Sequence, residues 1–418
     1  MQLMNHTIPA AAVPIIRRVA IPGSKSMTYR ALMIAALADG ASELSDIYIN
    51  NNILTFVNVL HALGFMIQLD KANRTCIIGG NGGKIPKTEA SLFLNGAQVP
   101  TKYLLAACAG TNGTYTFDGE QSLRDEPLGT LLNTLVRFGA KLQPHNTMHL
   151  PLSLEGADGL KGGEVELDAA SHHSSALLMI APYAEKPIVI KTNETILKPY
   201  IEMTCEMMAD FGVLVRRMHR GRYAVPTPQR FIARDYVIEP DLSLAANFFA
   251  ASAITGGQIT IQPIDRQKSK QSEVAFLNIL EKMGCVIIEN DIGLTLIGPS
   301  ELKGINADMR PFPTALMPLA AIAPFATSPT TMTNITAHQL KLMRDELKKM
   351  GCQLESGHDW LKIYPSDLTA ADIDTHEDPR IAMAFAIIGL KIPNMRILRA
   401  DCVSKLYPDF FDVWDSML

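Results

Sequence analysis

The sequence predicts an α/β (α+β) protein of two domains, each built from three copies of one strand-and-helix unit. Two observations carry that prediction. Six helices rich in small apolar residues recur at near-constant spacing: ALMIAALADG (31–40), LLAACAGTNGTYTF (104–117), ALLMIAPYAEKPIVI (176–190), AANFFAASAITGGQITI (245–261), ALMPLAAIAPFA (315–326) and AMAFAIIGLKIPNMRIL (382–398), with starts 73, 72, 69, 70 and 67 residues apart. Between them, five amphipathic helices close on the same phrase at Gly64, Gly139, Gly212, Gly284 and Gly351, spaced by 75, 73, 72 and 67 residues. A helix closed by a glycine able to turn left-handed, and then followed by a strand, is a helix-to-strand corner. One such unit is too small to bury its own core, so three pack together as a domain and six make two. The sixth unit lacks the corner phrase because the chain ends first.

The first unit opens on VAIPGSKSMTYRALMIAAL (19–37). Pro22-Gly23 break a short apolar strand, and Ser24, Lys25, Ser26 and Thr28 lead into a helix that carries Arg30. Free N–H groups, the positive end of the helix dipole and two cationic side chains make such a turn an anion cradle. A second reading stays open at this point: Ser24 caps the helix while Lys25 and Arg30 are solvated.

Bulk composition narrows the function. The 418 residues are 47% hydrophobic and 19% charged, with a net charge of -4 and a pI near 6.2. Nothing global draws nucleic acid or an anionic membrane, so any anion must be bound by locally placed Lys and Arg. The six cysteines stand singly, without CxxC or Cys/His ligand spacing, and read as reduced core thiols of a cytoplasmic protein without a metal. No segment reads as a secretion signal or as a bilayer span. The expectation is a monomer that uses no cofactor and takes a small anionic molecule bearing carboxylate or phosphate.

With its opening stretch, LKPYIEMT (197–204), VIEPDLSLAANFFAASAITGG (237–257), HEDPRIAMAF (376–385) and CVSKLYPDFF (402–411), the sixfold pattern resembles the enolpyruvyl transferases, and among them the EPSP synthases. The related UDP-N-acetylglucosamine enzymes carry a catalytic Cys in the loop corresponding to GEQSLRDEP (119–127), and this loop has none. The resemblance implies two domains of three βαβαββ-like units, residues 1–22 with 240–418 and residues 23–239, with a ligand cleft between them. It implies transfer of an enolpyruvyl group from phosphoenolpyruvate to a hydroxyl of a small anionic carbocycle. That reaction needs cations for a carboxylate and a phosphate, an acid for C3 and a base for the hydroxyl.

Carried over residue by residue, Lys25 falls on the phosphoenolpyruvate side, and Ser26 and Arg30 on the carboxylate of the acceptor. Arg380 and Lys405 match cations of the phosphoenolpyruvate site, and Tyr200 matches an acceptor-side tyrosine. Other positions depart from the family. Lys102 replaces an arginine of the phosphate loop and lacks its bidentate fork. Glu126 stands where the family has another arginine, with Arg124 two residues earlier as a substitute if the loop is re-aimed. A family Ser-Ser-Gln becomes Ala170, Ser171 and His172, followed by His173; the histidine pair suits either substrate binding and acid/base work near neutral pH or a helix cap. Leu197 takes the place of a phosphate-binding Ser. Met309-Arg310 replaces the family Pro-Asp, leaving Asp308 as the candidate catalytic carboxylate beside Lys25 and His172. The acidic segment is shortened to HQLKLMRDEL (338–347), whose Arg344, Asp345 and Glu346 read as solvated, while Glu377 and Asp378 survive nearby.

Three outcomes fit this pattern. The first is a carboxyvinyl transferase with an acceptor other than shikimate 3-phosphate. The second is a diverged enzyme that eliminates, isomerises or cyclises a carboxylate-bearing molecule without phosphoenolpyruvate, as in secondary metabolism. The third is a non-catalytic binding relative.

Overall fold

The computed structural model describes residues 4–167, 171–192, 198–219 and 221–418, and places them in two compact units, Pro22–Glu239 and Met1–Ile21 with Pro240–Leu418. Each holds a hydrophobic core of its own.

The sixfold repeat of the sequence is a sixfold repeat of sheets. In the Pro22–Glu239 unit, Glu89–Phe93 runs parallel to Gly113–Asp118, which pairs antiparallel with Leu152–Gly156, and this pairs antiparallel with Lys141–Gln143. The same order recurs in Gly163–Glu166, Ile188–Lys191, Arg222–Val225 and Arg216–Met218. It recurs again in Tyr236–Val237, Asp39–Ser45, Thr75–Asn81 and Met66–Asp70, where the first strand is supplied by the end of the unit. The other unit repeats the order twice, starting from Ile16–Arg18 beside Gln258–Ile261 and from Asn306–Asp308 beside Thr330–Thr333. Its last sheet has three strands, with Asp372–Asp374 parallel to Arg396–Leu398 and His6–Thr7 closing the far side.

The small-residue helices are the ones buried on every side. Lys25–Leu37 is buried from Met27 to its end, Gln98–Ala109 from Pro100 to its end, and Pro379–Gly389 from Ile381 to its end. Alanine and glycine suit this position because they let backbones approach closely without leaving voids. In the discontinuous unit, Leu242–Thr255, Leu316–Ile322 and Pro379–Gly389 touch one another; in the other, Gln98–Ala109 packs against both Lys25–Leu37 and Ser171–Ile180. Proline shortens two of the six: Leu316–Ile322 passes into the 3₁₀ turn Ala323–Phe325, and Ser171–Ile180 into Ala181–Tyr183.

The amphipathic helices end as expected. Gly64, Gly139, Gly212, Gly284 and Gly351 all have φ between +82° and +117°, a region closed to most side chains. All six cysteines are free and buried, and burial pushes the thiols of Cys76, Cys205 and Cys285 up to about 12. No helix among the described residues is long and apolar enough to cross a membrane, and no three of their His, Cys, Asp or Glu side chains are grouped to hold a metal ion.

Candidate active site

In the Pro22–Glu239 unit Lys25, Ser26, His172 and Tyr200 sit on the first turns of three helices, Arg30 and Lys102 lie further along theirs, and Arg124 ends the short Gln121–Arg124 helix. Lys25 begins the first helix and is part-exposed. Ser24 is 2% exposed, yet its side chain makes no capping bond; its carbonyl takes Thr28 N–H at 2.9 Å. The capping alternative therefore loses its mechanism, while the solvated alternative fails for Arg30, which is 0% exposed.

Arg30 has several internal partners. Nε donates to Thr204 Oγ1 at 2.7 Å, one terminal nitrogen to the Ser26 carbonyl at 2.8 Å, and the other to Ser175 Oγ at 3.2 Å and the Tyr200 carbonyl at 3.1 Å. One guanidinium thus ties Lys25–Leu37 to the Ser171–Ile180 and Lys198–Asp210 helices. Four of its five N–H groups are thus taken by internal oxygens, so the guanidinium braces three helices whatever it offers a ligand.

Lys102 and Glu126 meet. The Lys102 ammonium lies 2.5 Å from Glu126 Oε1, with the two side chains 7% and 20% exposed. The carboxylate that seemed misplaced in an anion site is thus the partner of the cation that replaced an arginine. Arg124 is held in a two-pronged bridge to Asp118 at 2.9 and 2.8 Å, which keeps the Asp118 carboxyl below its usual range.

His172 and His173 lie on the first turn of the Ser171–Ile180 helix, and the His172 ring sits 6.3 Å from that of Tyr200. The Nδ1 atoms of both histidines and Oγ of Ser174 are buried without a hydrogen-bond partner among the described residues. Burial, reinforced by Arg30 and Lys102, pushes His172 down to about 3; burial and Lys102 push His173 down to about 4. The sequence left open substrate binding, proton exchange near neutral pH, or a helix cap. Both rings are neutral at that pH, chiefly because burial disfavours the charged form and secondarily because Arg30 and Lys102 lie nearby. Ala170 and Leu197, and the side chain of Ser171, lie outside what the structure describes.

In the discontinuous unit, Asp378 caps the Pro379–Gly389 helix by accepting from Arg380 N–H at 2.9 Å, and also takes the Arg380 guanidinium at 2.9 and 2.5 Å. Burial raises the Asp378 carboxyl, but Arg380 more than offsets it and the net shift is downward. Lys405 lies 3.3 Å from both the carbonyl and the carboxylate of Glu377. Asp308 is clasped by Arg310, with Nε 2.9 Å from Oδ2, and accepts from Asn334 at 3.0 Å. Arg310 holds this carboxyl below its usual range.

Sequence reasoning missed Glu346. It read as solvated on an amphipathic helix, but its side chain is 1% exposed and is bonded to Lys349, His376 and the backbone of Asp374. Only Arg344 and Asp345, paired with each other at 2.8 Å, are part-exposed as expected. No local pattern marks the difference, since the partners on strand and turn lie about 30 residues away.

Fold and site together describe an enolpyruvyl transferase-like protein, and comparison with known proteins narrows the class. A family model of EPSP synthase (3-phosphoshikimate 1-carboxyvinyltransferase) matches residues 10–414. The 3-phosphoshikimate 1-carboxyvinyltransferase of Nostoc punctiforme is 39% identical over 421 residues, covering 98% of each chain. That of Shewanella loihica is 36% identical over 405 residues, covering 94% of this chain and 95% of its own. An EPSP synthase structure from Acinetobacter baumannii shares the fold, with a TM-score of 0.86 at 22% identity over 99% of this chain and 98% of that one. The chain belongs to the EPSP synthase family, whose members are carboxyvinyltransferases.

Proposed function

We propose that this chain transfers the enolpyruvyl group of phosphoenolpyruvate to a hydroxyl of a small anionic carbocycle. The observation that carries the reading is the placing of cations at the N-terminal turns of buried helices in a chain related to carboxyvinyltransferases from end to end: Lys25 in one unit, Arg380 in the other with Lys405 near it in the family pattern. Helix N-termini with cationic side chains suit carboxylate and phosphate. In this scheme the hydroxyl gives up its proton and its oxygen bonds to C2 while C3 takes a proton; C3 then returns a proton as the C2–phosphate bond breaks and the double bond re-forms.

Lys25, Arg380 and Lys405 are assigned to phosphoenolpyruvate, and Ser26, Ser171 and Tyr200 to the acceptor. Arg30 ties together the three helices that carry the acceptor-side groups and, in the family pattern, serves the acceptor carboxylate with its remaining N–H. Neutral His172 offers the acceptor a hydrogen-bonding ring, and ionised Asp308 supplies a base for the hydroxyl proton. The two compact units are read as the two three-unit domains of the family.

A second reading has its own support. Lys102, Arg124 and Asp308, three groups that such chemistry draws on, are each neutralised by an internal partner. That pattern favours an acceptor other than 3-phosphoshikimate, or a diverged reaction without phosphoenolpyruvate. Calorimetry with phosphoenolpyruvate and 3-phosphoshikimate, followed by a phosphate-release assay, separates the two. Release with both present supports the standard transfer, and binding without release supports a different acceptor. If neither compound binds, enolpyruvyl transfer is lost as a reading. Glu126→Gln frees Lys102 and is expected to tighten 3-phosphoshikimate binding about tenfold, the scale of one charge-assisted hydrogen bond. An unchanged affinity removes Lys102 from the ligand site.

A further inference from the structure

The Asp374–Arg380 turn has an unusual backbone. His376 and Glu377 are consecutive non-glycine residues in the left-handed region, with φ of +49° and +58°. Non-glycine residues seldom adopt it, histidine more readily than glutamate, and two in succession gather where the surroundings hold a turn for function. The turn leads directly into the helix that begins with Pro379 and Arg380, and Glu377 at its centre contacts Lys405.

What imposes it is a carboxylate from the preceding repeat. Glu346 is on the Ala337–Lys349 helix, among the buried side chains of Leu342, Met343 and Leu347. Its Oε2 accepts from Asp374 N–H at 3.1 Å, on the way into the turn, and its Oε1 lies 3.1 Å from His376 Nε2, at the first left-handed residue. Lys349 reaches both oxygens at 2.7 Å and balances the buried charge. Asp374 continues the grip, its Oδ1 taking His376 N–H at 2.7 Å. A buried charge needs strong partners, and two of those found by Glu346 belong to this turn.

We propose that Glu346 is a positioning residue: it holds the Asp374–Arg380 turn in the conformation that presents Arg380, and Lys405 by way of Glu377, to phosphoenolpyruvate. The identity of the ligand rests on the function proposed above, whereas the grip on the turn does not. Glu346 itself touches no substrate and acts through His376 and the Asp374 backbone.

The test uses the full chain and two variants. Glu346→Gln keeps the shape but not the charge. His376→Asn removes the ring while keeping a residue that tolerates the left-handed region, and the ring is exposed enough for folding not to depend on it. Hydrogen exchange at residues 374–380 is expected to speed up about tenfold in both variants, while the Leu242–Thr255 helix keeps its protection. In turnover, KM for phosphoenolpyruvate rises about tenfold, with kcat and KM for the acceptor within about twofold, and the double variant is no worse than Glu346→Gln alone. Unchanged exchange in the turn, equal acceleration through the whole unit, equal rises in both KM values, or additive effects would each overturn the proposal. If the wild-type chain does not use phosphoenolpyruvate, the proposed function falls while the exchange result still decides whether Glu346 holds the turn.

Discussion

His172 and His173 stand among cations, on a helix turn where no carboxylate reaches either ring as a hydrogen-bond partner among the described residues. Their depressed values, about 3 and about 4, make stability depend on pH with a definite sign. Above pH 6.5 both rings are neutral in the folded and unfolded chain, and they contribute nothing to the slope. Below it the unfolded chain binds protons that the folded one refuses, so stability is lost as pH falls from about 6.5 towards 4 and 3. At about 1.4 kcal/mol per pKa unit, lowering the pH to 5 removes about 2 kcal/mol for each ring. The melting midpoint is therefore expected to drop by several degrees between pH 7 and 5, and the double variant His172→Gln with His173→Gln to lose much of that drop. Imidazole C2 protons that titrate near 6.5 in an NMR series would contradict it. The places of the candidate residues on their elements were legible in the sequence: a lysine, a histidine pair and an arginine, each at a helix start. Their pairings were not, because Arg30 is satisfied by Thr204, 174 residues on, and Lys102 by Glu126, 24 residues on. Pairing at such separations follows from packing, which leaves no local trace.

The repeated element was far easier to read than the site, and for a physical reason. Close packing on every side demands small residues along a whole helix, and a sharp exit from an amphipathic helix demands a left-handed glycine. Both requirements recur in every complete unit and therefore show as a period. What the period hid was variation inside an element. Glu346 occupies a position that looks like the polar face of an amphipathic helix but is buried, and proline breaks the fifth small-residue helix into a helix flanked by 3₁₀ turns. The sixth unit does not stop at its missing phrase, for a short helix, Phe410–Asp415, follows its last sheet. The corner itself can be tested at Gly351, where φ is +82° and an added Cβ meets nothing within 4 Å. With no clash, only the backbone term remains, so Gly351→Ala is expected to cost about 1–2 kcal/mol in urea unfolding. Gly351→Asn should cost less than Ala, since asparagine visits this region more readily. A neutral Ala variant would mean that the corner does not require its glycine.

At the scale of the whole chain, the two units close in different ways. Pro22–Glu239 is continuous and supplies its own closing strand, Tyr236–Val237 beside Asp39–Ser45. The other unit borrows two strands from the start of the chain. Ile16–Arg18 lies parallel to Gln258–Ile261 and His6–Thr7 antiparallel to Arg396–Leu398, while Ile8, Ile15, Val19 and Ile21 are all at most 3% exposed in its core. Four buried aliphatic side chains contribute about 6–12 kcal/mol at about 1.5–3 kcal/mol each. That is comparable to the entire stability of a typical domain, about 5–15 kcal/mol. A fragment of residues 22–239 is therefore expected to melt cooperatively by itself, whereas residues 240–418 alone should show no cooperative transition and should expose apolar surface to a hydrophobic dye. Adding a peptide of residues 1–21 in trans should restore the transition, at a midpoint that rises with peptide concentration because binding to the folded form alone stabilises it by mass action. A cooperative melt of 240–418 without the peptide would show that the first 21 residues decorate this unit and do not complete it; loss of cooperativity in 22–239 would show that its closing strand is not sufficient.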